Sequence, residues 1–212
     1  MTRLTKLDND DYRYLSDDDH CYHYGEYTSG GGFKKSTTNQ QILNLKNKPT
    51  SSDGALYYKR LAVEYWGKMI AETLNLAAIA DATTFVPMPC SKPVGHADYD
   101  DRMHRVLRHL LRTNADLDIR PVLIQTRLRP SQHEAGRQTP AQLLETLGID
   151  QSQTIKPLRS TVVILDDVIT MGASFSAAKS LITQIPGVTQ VIGIFLAKTV
   201  WDRSELDDFL GV

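Results

Sequence analysis

Asp166 and Asp167 stand side by side at the end of an apolar run, Val162-Val163-Ile164-Leu165, and Thr170, Gly172 and Ser174 follow closely. Ionised carboxylates accept hydrogen bonds from hydroxyl groups and can sit close to a magnesium ion, but they are poor partners for phosphate. Glycine lets a backbone turn tightly and approach a ligand, and a helix behind it aims its first N–H groups at an anion. Thr170 and Ser174 can add hydroxyl donors. Together these groups suit a molecule with a phosphate at one end and a vicinal diol nearby.

Such chemistry needs a strand, a turn and a helix in that order. Four apolar, mostly β-branched residues between turn signals read as a strand buried on both faces, and a helical pattern begins at Ala173. Ligands of open α/β sheets lie at the carboxyl ends of such strands, which is where the two acids fall. A Walker B strand also ends in an acid, but it requires a partner loop of the form GxxxxGK[ST]. The nearest stretch, Gly30-Gly31-Gly32-Phe33-Lys34-Lys35-Ser36, has Phe33 where the last glycine should be. A response-regulator strand would need no glycine and hydroxyl loop.

The stretch Val162 to Ser174 resembles the phosphoribosyl-pyrophosphate (PRPP) motif of type I phosphoribosyltransferases. The resemblance implies an α/β fold, a parallel sheet flanked by helices with an irregular N-terminal hood. It places Asp166 and Asp167 on the ribose hydroxyls as the catalytic acids, with magnesium held near them through PRPP. It places Thr170, Met171, Gly172, Ala173 and Ser174 around the 5-phosphate. Met171 departs from the threonine most common before the glycine, which removes one hydroxyl contact. The activity implied is transfer of the phosphoribosyl group to a nucleobase-like small molecule with release of pyrophosphate. The third residue after the acids is Thr170, where purine-salvage members often carry an aspartate base, and this argues against a 6-oxopurine acceptor.

Two further stretches extend the resemblance. Phe85 and Val86 read as a strand stopped by Pro87-Met88-Pro89, after which Ser91 and Lys92 stand where the family binds pyrophosphate. The alternative for Lys92 is a surface lysine after a proline turn. Arg127 to Gln138 is a long polar stretch where the family carries a lid, with Arg127, Arg129 and Arg137 as anion contacts and His133 as either a further contact or an exposed loop histidine. The arginines and Ser131-Gln132 also resemble the competence-protein ComF branch, although the cysteine-pair zinc module of that branch is missing. A PRPP-binding regulator or ComF-like accessory protein is therefore the second reading, and hydrolysis of PRPP or a nucleotide the third.

Composition bounds the rest. The chain has 212 residues and a net charge of −1, which suits one α/β domain and provides no general basic field for nucleic acid. Two distant cysteines, Cys21 and Cys90, are too few for a disulfide framework and fit a reducing cytosol. No apolar run approaches the roughly 18 residues of a membrane helix, and the N-terminus lacks a signal-peptide core, so a cytoplasmic protein is expected. The family implies a homodimer.

The division expected is an N-terminal extension over residues 1–54 and a phosphoribosyltransferase-like domain over 55–212. His20, Cys21 and His23 are a weak zinc cluster beside an aromatic segment, with packing as the default. A short helix is expected within Gln40 to Leu45. A second, after Ser52-Asp53, would bury Tyr58, Leu61, Ala62, Tyr65, Trp66, Met69, Ile70 and Leu74. Asp98 to Arg112 reads as a helix with Arg102 as either an anion contact or a solvated charge. Ile119 to Thr126 reads as a strand, Pro140 to Leu147 and the segment after Ala173 as helices, Val191 to Ala197 as a strand and Ser204 to Leu210 as a closing helix. Trp201 could stack on a base or cap the core.

Overall fold

A computed structural model describes residues 3–129 and 138–201. Its centre is a six-stranded sheet. The strands are β1 (Thr5–Lys6), β2 (His20–Thr28), β3 (Thr83–Pro87), β4 (Asp118–Ile119), β7 (Thr161–Ile169) and β8 (Gln190–Val200), in the spatial order β1-β2-β8-β7-β3-β4. All neighbours are parallel except β1, which pairs antiparallel with β2. The sheet is thus mixed rather than wholly parallel. β5 (Leu123–Gln125) and β6 (Leu147–Ile149) form a separate antiparallel pair.

Helices cover both faces. α1 (Thr37–Leu45), α2 (Asp53–Thr73) and α4 (Arg102–His109) pack with Phe85, Val163 and Leu165. The short α3 (Leu76–Ile79) follows α2, and its Leu76 joins the same core. α5 (Pro140–Leu144) and α6 (Ala173–Ile182) pack with Val86, Val162 and Ile164 on the other face. Successive residues of β3 and β7 therefore feed two separate cores, as the twofold period of a strand requires. No helix among the described residues is long and apolar enough to cross a membrane.

Several elements differ from their sequence readings for identifiable reasons. The first fifty residues, expected as an irregular hood, supply β1, β2 and α1, and β2 runs beside β8 from His20↔Ile192 to Thr28↔Val200. The expected strand Ile119 to Thr126 is split at Pro121, which has no N–H for a ladder; β4 stays in the main sheet and β5 turns away to join β6. The buried face of α2 is Lys59, Ala62, Val63, Trp66, Gly67 and Ile70, while Tyr58 and Leu61 are 53% and 42% exposed. The buried stripe is narrower than the hydrophobic spacing predicts. Lys59 and Gly67, neither a hydrophobe, lie inside the true face. Gly67 is there for space, since a Cβ on it would come within 2.6 Å of the His109 side chain of α4.

The zinc cluster does not form. Strand alternation leaves His20 exposed, Cys21 buried, and His23 Nδ1 3.0 Å from the carbonyl of Gly25. Burial pushes the Cys21 thiol up to about 12, as for a cysteine packed in the core. The expected helix Ser204 to Leu210 lies outside the described residues, as do Ser131, Gln132, His133 and Arg137.

Candidate functional site

β3 and β7 are neighbours, yet the chain leaves β3 toward β4 on one side and β7 toward β8 on the other. That reversal makes a crevice at their carboxyl ends, the usual ligand position in an open α/β sheet. The loop after β3 and the loop after β7 are its two lips. The N–H of Met88 donates to the carbonyl of Leu165 at 2.9 Å and holds the lips together at their base.

On the β7 side, Thr170-Met171-Gly172 turns into α6. Gly172 has φ +84°, and as the residue before the helix it offers no capping side chain. The first amides of α6 are thus left without a side-chain partner at the mouth of a small pocket. The pocket is lined by Asp166, Thr170, Met171, Gly172, Ala173 and Ser174, with Gln138, Phe175 and Phe195 behind. The Thr170 hydroxyl is 2.9 Å from that of Thr199 on β8. The N-terminal segment braces the loop from outside. Tyr14 N–H donates to the carbonyl of Met171 at 3.0 Å, and a Cβ on Gly172 would lie 2.9 Å from the Leu15 side chain. Asp19 anchors that segment to α6 through Lys179.

The two acids are not equivalent. Alternation along β7 sends Asp166 to the pocket and Asp167 to the opposite face, toward α1 and α4. The Asp167 N–H donates to Oδ1 of Asp166 at 2.8 Å. On its own side, Asp167 Oδ2 accepts from Nε (3.0 Å) and Nη2 (2.6 Å) of Arg102, and its Oδ1 lies 3.3 Å from Nζ of Lys46. Burial followed by the charge of Asp167 pushes the Asp166 carboxyl up to about 7. Burial alone would raise Asp167 too, but Lys46 and Arg102 outweigh it and hold that group down to about 2.

Arg102 is itself held. Its Nη1 donates to Oδ2 of Asp100 at 2.9 Å, and its backbone N–H to Oδ1 at 3.2 Å. Lys59, only 2% exposed in its side chain, donates to the same Oδ2 at 2.8 Å and to the carbonyls of Leu45 (2.6 Å) and Asn47 (2.8 Å).

The other expected residues scatter around the crevice. Ser91 and Lys92 are half-buried on the β3 lip, outside the lining of the small pocket. The Ser91 carbonyl accepts from the N–H of Arg129 at 3.3 Å. Burial lowers the Arg129 guanidinium, opposed by the charges of Asp166 and Cys90. Arg127 is exposed beyond β5. Arg137 lies outside the described residues. Sequence reasoning missed Lys46, Asp100 and Lys59, whose spacing in the chain carries no motif. It also missed Gln138, whose Oε1 is buried without a hydrogen-bond partner among the described residues.

A metal needs several free oxygens, and both Asp167 oxygens are taken by cations. Among the described residues no group of three His, Cys, Asp or Glu side chains can hold an ion. Comparison of the chain with protein-family models and with curated proteins gives no match.

Proposed function

We propose that the protein is a phosphoribosyltransferase that moves the 5-phosphoribosyl group of PRPP to a nitrogenous base or related acceptor, with pyrophosphate leaving. The single observation that carries this reading is the pairing, in one pocket, of a half-buried acid and uncapped helix amides behind a left-handed glycine. Backbone amides at a helix N-terminus suit the 5-phosphate. Asp166 suits a ribose hydroxyl, which can donate to it. Ser91, Lys92 and Arg129, across the crevice, suit the pyrophosphate, and magnesium would enter as part of the substrate rather than on a protein cage. The work of the protein would be positioning and charge stabilisation around a ribosyl centre that water would otherwise attack.

Calorimetry of PRPP with magnesium, on the native protein and on the Asp166→Asn, Asp167→Asn double variant, tests the site. Native binding that drops at least tenfold in the variant is expected; a folded native protein that does not bind would overturn the reading. A panel of bases assayed for pyrophosphate release then separates the transferase from its alternative, a PRPP-binding regulatory or ComF-like accessory protein. That alternative is favoured by the commitment of both Asp167 oxygens to cations and by Met171 in the phosphate loop.

A further inference from the structure

Five charged side chains close a circuit behind the crevice. Lys46 follows the last residue of α1 and meets Asp167; Asp167 meets Arg102; Arg102 meets Asp100; Asp100 meets Lys59. Lys59 returns to the carbonyls of Leu45 and Asn47, the residues on either side of Lys46. Three cations face two anions, so the circuit carries one net positive charge before Asp166 is counted. Its members come from α1, α2, the loop after β3, the start of α4 and β7. A circuit drawn from that many elements, with Lys59 almost wholly enclosed, fixes Arg102 in one place.

We propose that Arg102 is a positioning residue for the candidate site: with Lys46, it holds Asp167 ionised and turned to the α1 and α4 face. The adjacent acids then do different work, Asp166 alone meeting the ligand in the pocket. The geometry of the fork locks the division that alternation along β7 sets. Nε and Nη2 both reach one carboxylate oxygen while Nη1 reaches Asp100, so the guanidinium plane cannot rotate without breaking contacts on both sides. Lys46 also lies 5.8 Å from the Tyr27 ring centroid, which places its ammonium between β2 and β7. The inference gives α1, from the first fifty residues, an indirect share in the site, through Lys46 and Asp167. It rests on the phosphoribosyl reading only for the identity of the ligand.

The groups facing the two acids are Asp166 and Asp167 themselves, Arg102 from α4, Lys46 after α1 and Arg129 beyond β5. Carboxyl carbon NMR titration, with signals assigned through Asp166→Asn and Asp167→Asn, reads each acid directly and needs no ligand. In the native protein Asp167 should stay ionised throughout the range from pH 4 to pH 8 while Asp166 titrates within it. In Arg102→Gln, Asp167 should begin to take up a proton within that range, and Arg102→Lys should restore part of the native behaviour. Lys46→Gln, at a half-exposed position that leaves Lys59 and Asp100 paired, should fold and move Asp167 in the same direction. An Asp167 signal unchanged in Lys46→Gln and in whichever Arg102 variant folds would overturn the proposal. PRPP calorimetry on the same samples is a separate arm: a native protein that ignores PRPP but shows the expected titrations keeps the circuit and loses the phosphoribosyl reading. A tenfold loss of PRPP affinity in Lys46→Gln that grows toward low pH supports both; a loss equal at every pH speaks against Asp167 as its cause.

Discussion

Asp166 is held in a state that works against the fold at neutral pH. Its folded carboxyl titrates near 7, raised by burial and by the neighbouring charge of Asp167, against about 3.9 in an unfolded chain. A raised folded value means that the stabilising share of this group is fully present below about pH 3.9 and is lost as pH rises through 7. The variant Asp166→Asn keeps an oxygen to accept from the Asp167 N–H but cannot ionise. Its stability relative to the native protein should therefore rise between pH 4 and 7 and level off above, by on the order of a few kcal/mol at most. Denaturant unfolding at pH 5 and pH 8 measures the gap; a gap of the same size at both would show that Asp166 is not the responsible group. Groups kept in such a condition are candidates for ligand contact, because a site needs its acid more than the fold does.

At the scale of the elements, tightness rather than polarity sets the limits. α2 and α4 approach closely enough at Gly67 that an added methyl would meet the His109 ring. Gly67→Ala improves helix propensity by roughly 1 kcal/mol but should destabilise by about 1–3 kcal/mol overall through overpacking. Combining it with His109→Ala should recover much of the loss, and a double-mutant cycle by thermal unfolding would reveal the coupling; simple additivity would count against direct contact. The same scale shows what could be read in advance. β7, the turn at Gly172 and the start of α6 at Ala173 were legible because apolar run, glycine and helix period agree locally. β3 and its Pro87 stop were legible for the same reason. β6 was not: Leu147-Gly148-Ile149 is too short to show a period, and its pairing partner is fixed by the turn away at Pro121. The exposed tyrosine side of α2 was misread because Lys59 and Gly67 are buried by an ion pair and a close approach, neither of which hydrophobic spacing can register.

For the whole molecule, the α/β class followed from the alternation of strands and helices, but the assignment of the first residues did not. Tyr22-His23-Tyr24-Gly25-Glu26-Tyr27 reads locally as a short hairpin or an extended segment, and its parallel strand partner lies near the other end of the chain. Half of the site shares that history. Asp166 and its loop are one contiguous stretch and could be recognised; Lys46, Lys59, Asp100 and Arg102 are spread over separate elements and meet only in three dimensions. Deleting His20–Thr28 would strip β8 of a neighbour along most of its length and uncover a long unpaired edge. Loss of cooperative unfolding and a gain in aggregation are the expected results, read by calorimetry and light scattering; a soluble, cooperatively melting deletion would show that β2 is dispensable.

The pairing of β2 with β8 also sets an order in time. His20 and Ile192 are partners across 172 positions, the difference of their numbers. At a synthesis rate of about 5–20 residues per second, β2 waits roughly ten to thirty seconds for β8. Through that interval Cys21, Tyr24 and their neighbours have only the short β1 on one edge and lack the β8 partner that covers the other, and such non-local closure is intrinsically slow. Nascent chains stalled before Gln190 should leave His20–Thr28 open to protease, and chains carried past Val200 should protect it. The crevice would then be among the last parts of the protein to exist, since the sheet edge that carries α1 and Lys46 settles only when β8 arrives.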